Sequence, residues 1–306
     1  MRVFVSGGAG FIGSWTVERL VADGHEVCVF DSLLTGNTDN LAGVSREIYL
    51  VRGDVRHPLA VQRAVRRFKP EAIIHLAACV SVPLSMRRAV RSHDDNTRGT
   101  VVLLEAARAN GVRRVVLASS AAVYGRNQNV PLAEGEPLDP LSPYALHKRI
   151  CEDYARLYTD LYGLETVALR YFNVFGPRQD PNSPYSGVIA RFADAARHGR
   201  PVFLTGDGSQ TRDFVFVDDV ACANVAAVSR ELSGHHVVNV ATGHETSLLA
   251  LRLAIEEVMG RPLPYTFAPP RPGDVYRSCA DVSRLRDLLN VVARTSLATG
   301  LRALLG

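Results

Sequence analysis

One stretch near the amino terminus constrains the fold more than any other: Gly7-Gly8-Ala9-Gly10-Phe11-Ile12-Gly13, set between an apolar run, Arg2–Ser6, and a helical period beginning at Phe11. Gly7, Gly10 and Gly13 recur at a spacing of three. Glycine permits a tight strand-to-helix turn, lets backbone approach a pyrophosphate closely, and allows helix and strand to pack tightly. The N–H groups and dipole at the helix start then favour phosphate. A purely structural turn could carry the same letters; the strand–turn–helix context is what points to a dinucleotide. Gly7, Gly10, Phe11, Ile12 and Gly13 form the expected cradle.

Asp31 closes the second apolar run about 20 residues on, where a carboxylate can hold both hydroxyls of an adenosine ribose. A 2′-phosphate would meet like charge there, so the reading is NAD rather than NADP. The alternative role for Asp31 is a turn cap. No arginine follows it directly, and Arg46 stays open as a 2′-phosphate partner. Asp54, in Gly53-Asp54-Val55, is a candidate for the adenine edge.

Around this turn the first half of the chain alternates β-rich runs with helical periods, the pattern of stacked βαβ units. Strands are expected at Arg2–Ser6, Glu26–Phe30, Ile48–Val51, Ala72–His75, Arg114–Ala118 and Thr166–Tyr171, with helices at Phe11–Asp23, Leu59–Arg67, His93–Ala109 and Pro143–Tyr162. Runs such as Val115-Val116-Leu117-Ala118 are apolar on both faces, which suits a sheet covered by helices on both sides. The fold class is α/β: a Rossmann-like, doubly wound parallel sheet with a smaller C-terminal α/β substrate-binding region. The division falls at 1–172 and 173–306, with the chain crossing between the two parts and a site between them.

Composition narrows the functional classes. The chain has 306 residues, 47% of them apolar, and a formal net charge of +4, enough for two domains and a sizeable core. No apolar stretch approaches the ~18–20 residues of a membrane span. The start, Met1-Arg2-Val3-Phe4-Val5-Ser6-Gly7, turns glycine-rich too early for a signal peptide, so a cytoplasmic location is expected. Cys28, Cys79, Cys151, Cys222 and Cys279 are odd in number and include no CxxC pair, which disfavours a disulfide framework or a metal site. The positive charge is spread without a long basic run, so nucleic acid is not an expected partner. Lysine is scarce: the 35 basic residues include only Lys69 and Lys148. A GC-rich genome explains the bias; the two survivors still invite a question.

Tyr144 and Lys148 answer it in part. They form a YxxxK on a predicted helix, one turn apart on one face. A free tyrosine, with a pKa of ~10, is a poor base near neutrality. A nearby ammonium and the positive ring of an oxidised nicotinamide are expected to stabilise its phenolate. The lysine can also reach ribose hydroxyls. Ser119-Ser120 ends the Arg114–Ala118 strand at the carboxyl edge of the sheet, where ligands bind in such folds and a hydroxyl can hold the substrate oxygen. The competing roles are a helix-surface pair for YxxxK and a cap or turn bond for the serines.

On these motifs the chain resembles the extended short-chain dehydrogenase/reductases of the nucleotide-sugar epimerase and dehydratase family. The likeness spans the GGAGFIG turn, His75–Ala78, Asn96 with Gly99-Thr100, SSAAVYG from Ser119 to Gly125, SPYALHK, RYFNVFGPRQ from Arg170 to Gln179, GDGSQTRDFVFVDD from Gly206 to Asp219, and RPGDV from Arg271 to Val275. The resemblance implies a bound NAD used and restored within each turnover, with Ser120, Tyr144 and Lys148 catalytic. It adds Asp54, Val55, Leu76, Ala77, Ala78 and Asn96 to the cofactor residues. On the substrate side it implies Ser81, Ser119, Asn173, Val188, Phe203, Arg212, Arg271, Asp274 and Ser278. Arg212 and Arg271 would grip the diphosphate, since guanidinium binds two phosphate oxygens at once. A homodimer through a four-helix bundle of the His93–Ala109 and Pro143–Tyr162 helices is the family's habit.

The reaction is narrowed by what is missing. Resembling dehydratases carry an Asp-Glu pair after the catalytic Ser/Thr, and the decarboxylases keep the glutamate; here the positions are Ala121 and Ala122. Inversion at C4 of a UDP-hexose, through a transient 4-keto sugar, is the simplest chemistry left. A helper from elsewhere, such as Cys79, Ser81 or Glu134, would undo that inference. Ser278 aligns with a position where a bulky residue restricts the sugar's 2-substituent, so UDP-GlcNAc and UDP-GalNAc are expected to fit alongside UDP-glucose and UDP-galactose. The sequence at Pro181–Gly187 also resembles the acetamido-sugar epimerases. The alternatives are a dehydratase, a uronate-acting enzyme using Arg178 or Arg277 for the carboxylate, and a non-catalytic NAD-binding sensor. The C-terminal stretch departs from the family pattern, with Asn290-Val291-Val292 in place of a Gly-x-x-Pro turn.

Overall fold

Apolar runs with β-branched residues at the expected positions pair into a single parallel sheet. The computed structural model describes residues 1–180, 187–269 and 275–306. In its first part run β1 (Arg2–Ser6), α1 (Phe11–Ala22), β2 (Glu26–Asp31), β3 (Ile48–Arg52), α2 (Pro58–Phe68), β4 (Ala72–His75), α3 (Val82–Arg87), α4 (Ala89–His93), α5 (Gly99–Ala109), β5 (Arg114–Ser120), α6 (Pro143–Tyr162) and β6 (Glu165–Tyr171). The second part contains β7 (Asn173–Phe175), α7 (Val188–Arg197), β8 (Val202–Thr205), β9 (Thr211–Arg212), β10 (Phe214–Phe216), α8 (Val217–Ser229), β11 (His235–Val240), β12 (Thr246–Ser247), α9 (Leu248–Met259), β13 (Tyr265–Ala268), α10 (Ser283–Leu289) and α11 (Leu297–Leu305).

The main sheet has the order β11-β6-β5-β4-β1-β2-β3, all parallel. Chain order runs outward in one direction from β1 and in the other from β4. The carboxyl ends of β1 and β4 therefore flank a crevice where the winding reverses, the place such folds bind ligands. Val3, Val5, Val27 and Val29 face one layer with α1 and α8, while Phe4, Cys28, Phe30 and Ile73 face the other with α2, α5 and α6. That alternation is the pleat of a doubly covered sheet.

Local signals set several boundaries. The Ser142 hydroxyl accepts from the Ala145 N–H at 3.2 Å, Pro143 occupies the first turn of α6, and Gly163 ends it in the left-handed conformation. The expected helix His93–Ala109 instead starts at Ala89 and passes through a π-helical turn, Asp94–Arg98, before α5. β5 extends to Ser120, two residues beyond its expected end.

The chain crosses back after residue 172: α8 covers the main sheet and β11 is its edge strand. The remaining second part has its own core, in which Phe175, Phe192, Leu204, Leu251 and Leu301 pack together. Where Gly-x-x-Pro was absent, Asn290 takes the left-handed cap position itself (φ 54°), a conformation asparagine tolerates. The chain then turns into α11, which buries Leu301 and Leu304.

Candidate active site

The glycine turn is a cradle that side chains would fill. Gly7 has φ 75°, and a Cβ there would meet the Ala77 nitrogen at 2.6 Å; at Gly13 a Cβ would meet the Gly7 carbonyl at 2.1 Å. Neither position admits even alanine. No side chain caps α1, and no acidic residue stands in its first turn, so its N–H groups face the crevice end of β1 uncontested by anionic neighbours on that turn. Asp31 ends β2 beside it. Its Oδ2 accepts from the Ala9 N–H at 3.0 Å and its Oδ1 from the Leu33 N–H at 2.8 Å, which fixes the carboxylate at the crevice rim.

Asp54, expected at the adenine edge, is paired within the protein. Arg56 donates to both of its oxygens, at 3.0 Å from Nε and 2.5 Å from Nη2, and holds the carboxyl below the usual range. Val55 packs where a Gly99 Cβ would otherwise stand. Asn96 lies in the π-helical turn and spends its amide on the loop after β4, accepting from the Cys79 N–H at 2.7 Å and donating to the Cys79 carbonyl at 3.0 Å. It thereby shapes the segment that carries Leu76, Ala77 and Ala78.

Tyr144 and Lys148 are both buried on α6. The Lys148 ammonium donates to the Ala118 carbonyl at 2.7 Å and lies 5.9 Å from the centre of the Tyr144 ring. Burial pushes the Tyr144 phenol up to about 12, and the Ser120 side chain offsets only part of this. Lys148 is not among the groups that lower it. Burial also lowers Lys148, with Cys151 and Glu152 working in the opposite direction. Behind them His75 is held neutral, down to about 3, by burial between Ser6 (2.6 Å) and Thr100 (3.1 Å).

Tyr144 and Ser120 open into a cavity of about 430 Å³ that also touches Ala121, Ala122, Asn127, Asn173, Gln179, Val188, Arg212 and Ser278. Of the expected substrate residues, Ser120, Tyr144, Asn173, Val188, Arg212 and Ser278 meet there. Arg271 and Asp274 lie outside the described residues, as do Pro181–Ser186.

Three of the expected substrate residues are not among the described residues lining the cavity. Ser119 faces away from the cavity and donates to Glu152 at 2.5 Å, because neighbouring strand residues point to opposite sheet faces. Ser81 is buried as the cap of α3, accepting from the Leu84 N–H at 2.8 Å. Phe203 is 64% exposed on β8 and is not among the cavity's described lining residues.

The arginines reserved for a carboxylate are committed elsewhere. Arg178 donates to Glu18 at 2.7 Å and Ser14 at 3.1 Å while stacking on Trp15. Arg277 pairs with Glu245 through both oxygens, at 2.5 and 3.1 Å. Glu134 accepts from the Asn239 N–H at 2.8 Å and does not line the cavity. Sequence reasoning gave no role to Asn127 and Gln179, which the fold brings to the cavity from two separate loops; Asn127 belongs to no motif, and Gln179 is the last residue of the RYFNVFGPRQ run.

The NAD dependent epimerase/dehydratase family model matches residues 3–241. The chain is 43% identical over 304 residues to a UDP-glucose 4-epimerase of Mycolicibacterium smegmatis, covering 98% of this chain and 96% of that one. It superposes with a TM-score of 0.92 and 39% identity on the Thermus thermophilus UDP-glucose 4-epimerase complex with NAD, covering all of this chain and 98% of that one. A UDP-N-acetylglucosamine 4-epimerase from Methanobrevibacter ruminantium M1, in complex with UDP-N-acetylmuramic acid, matches with a TM-score of 0.94 and 36% identity over 99% of this chain and 96% of that one.

Proposed function

We propose that this chain, which belongs to the NAD-dependent epimerase/dehydratase family, inverts C4 of a UDP-hexose, interconverting UDP-glucose and UDP-galactose. Its residues fit NAD: Gly7 and Gly13 admit no side chain, and the Asp31 carboxylate is held at the crevice rim, where a ribose would be met. The turn would hold the pyrophosphate, Asp31 the adenosine ribose, and Lys148 the nicotinamide ribose. When bound, NAD supplies the two-electron acceptor and donor at C4.

The protein's part is proton transfer and placement. Tyr144 receives the proton of the sugar 4-hydroxyl as C4 is oxidised and returns it after reduction from the other face. Burial raises the phenol in the protein alone, and a positive charge beside it would favour the phenolate. Ser120 holds the same oxygen. Arg212 and Asn173 anchor the diphosphate, leaving the hexose free to turn.

The observation that carries this reading is the cavity wall beside Tyr144. Ala121 and Ala122 present methyl groups there, and no carboxylate occurs among the described lining residues. Elimination and decarboxylation both need such a group to move a proton at C5 or assist loss of carboxylate. Ser278 supports a second substrate pair, UDP-GlcNAc and UDP-GalNAc, because it is small and lines the same cavity.

Residues 1–172 serve the cofactor and the catalytic trio, while 173–306 serve the nucleotide sugar. A homodimer is proposed through the His93–Ala109 and Pro143–Tyr162 helices; on α6, Leu146, Leu157, Leu161 and Tyr162 are exposed apolar side chains. No helix among the described residues is long and apolar enough to cross a membrane, and we place the enzyme in the cytoplasm. The test is incubation of the purified protein with UDP-glucose, UDP-GlcNAc and UDP-glucuronate, followed by NMR of C4. Epimers of the first two are expected; an unsaturated or 4-keto product, or turnover of the glucuronate alone, would overturn the reading.

A further inference from the structure

Helix α6 presents three buried polar side chains on one stripe, Tyr144, Lys148 and Glu152, each four residues from the last. The first two meet the end of β5 through the Ser120 side chain and the Ala118 carbonyl. The third meets it as well: the Ser119 hydroxyl donates to Glu152 Oε1 at 2.5 Å. Arg170 stands opposite Ser119 in the β5–β6 register, so the two side chains share a face of the sheet. Its guanidinium grips Glu152 from there, at 2.9 Å to Oε1 and 2.7 Å to Oε2. Arg170 is itself held by the Glu134 carbonyl at 3.0 Å and lies 4.8 Å from the centre of the Tyr124 ring, which lines the cavity.

We infer that Glu152, clamped by Arg170 and bridged to Ser119, is a positioning residue for the reaction: it locks the end of β5 against α6 so that Ser120 and the Ala118 carbonyl meet Tyr144 and Lys148 in register. Glu152 is not among the described residues lining the cavity; it acts through Ser119 and Lys148. The pairing is costly to bury unless its partners are complete, and here both carboxylate oxygens are bonded. Successive strand residues point to opposite faces, so holding Ser119 inward is the same act as holding Ser120 toward the cavity. The carboxylate also favours the charged form of Lys148 in a site where burial opposes it. The other titratable groups around Lys148 are His75 on β4, Cys79 in the following loop, and Tyr144, His147 and Cys151 on α6.

This inference rests on the epimerase reading for its kinetic arm and is independent of it for the other. Ser119→Ala removes the bridge and leaves the ion pair intact. Its kcat is expected to fall by about 10- to 100-fold with KM for UDP-glucose unchanged, as for a misplaced reacting group. A kcat within about two-fold of the parent, or a KM that rises in step, would overturn the inference.

The second arm uses the scarcity of lysine. Protein labelled with ¹³C-lysine carries two resonances, Lys69 and Lys148. Glu152→Gln alone leaves Arg170 buried without its partner and risks unfolding, so Glu152→Gln is combined with Arg170→Met. Lys148 in the double variant is expected to lose its proton at lower pH than in the parent. An unchanged Lys148 titration in a folded double variant would contradict the inference. Absence of turnover in the parent would sink the epimerase reading while leaving this titration decisive.

Discussion

The Lys148 ammonium donates to the Ala118 carbonyl at 2.7 Å, joining helix α6 to the strand that carries Ser120. A compact ammonium on a flexible stem fits this buried contact; a guanidinium is larger and delivers its donors in a plane. Lys148→Arg is therefore expected to lower kcat by at least about 100-fold while NAD still binds. Steady-state kinetics beside a cofactor-binding isotherm check this. Activity within ten-fold of the parent would show that only the charge matters.

Asp31 is held by the Ala9 and Leu33 N–H groups, both of which donate to its carboxylate. Asp31→Asn keeps the shape and removes the charge. A hydrogen bond to a charged group contributes about 1.5–3 kcal/mol, so NAD affinity should drop about 10- to 100-fold. Calorimetry should also show the preference for NAD over NADP narrowing. An unaltered preference would remove Asp31 from ribose recognition.

His75 makes folding sensitive to acid. The Thr100 hydroxyl donates to the Asn96 carbonyl at 2.7 Å, so it accepts from His75 Nε2, and Nδ1 accepts from Ser6. Burial takes the folded value down to about 3, below the ordinary ~6.5, so the unfolded chain binds the proton first. Stability from this group is complete above about pH 6.5 and is lost as pH falls toward the folded value, by up to about 1.4 kcal/mol per unit. Urea melts of the parent and His75→Gln should converge as pH drops from about 7 to 4. Parallel curves would exclude the histidine as the source.

Ser278 is 8% exposed on the cavity wall. Ser278→Tyr should raise KM for UDP-GlcNAc more than about 10-fold and alter UDP-glucose far less, since the phenol takes the space of a 2-acetamido group. Equal losses on both substrates would point to general overpacking instead.

The fold was legible where short-range chemistry decides it. The glycine turn, the helix α6 with Ser142, Pro143 and Gly163 at its ends, and β1 and β4 stand where their residues placed them. The sites of error share a cause: they depend on which way a side chain turns or on long-range partners. Ser119 and Ser120 are neighbours in sequence, yet only one faces the cavity. Arg178 and Arg277 are plausible carboxylate receptors until Glu18 and Glu245 are seen beside them. The Glu152–Arg170 pair joins a helix to a strand 18 residues apart, and only the stripe spacing from Lys148 hints at it.

In the proposed reaction the hydrogen at C4 leaves the sugar and returns to it without meeting solvent, while Tyr144 moves only the hydroxyl proton. The most direct measurement is incubation of the protein with UDP-glucose in deuterium oxide, with NMR of the C4 position in both sugars over time. UDP-galactose carrying protium at C4 is expected. Deuterium at C4, or a 4-keto-6-deoxy sugar in place of the epimer, would contradict it.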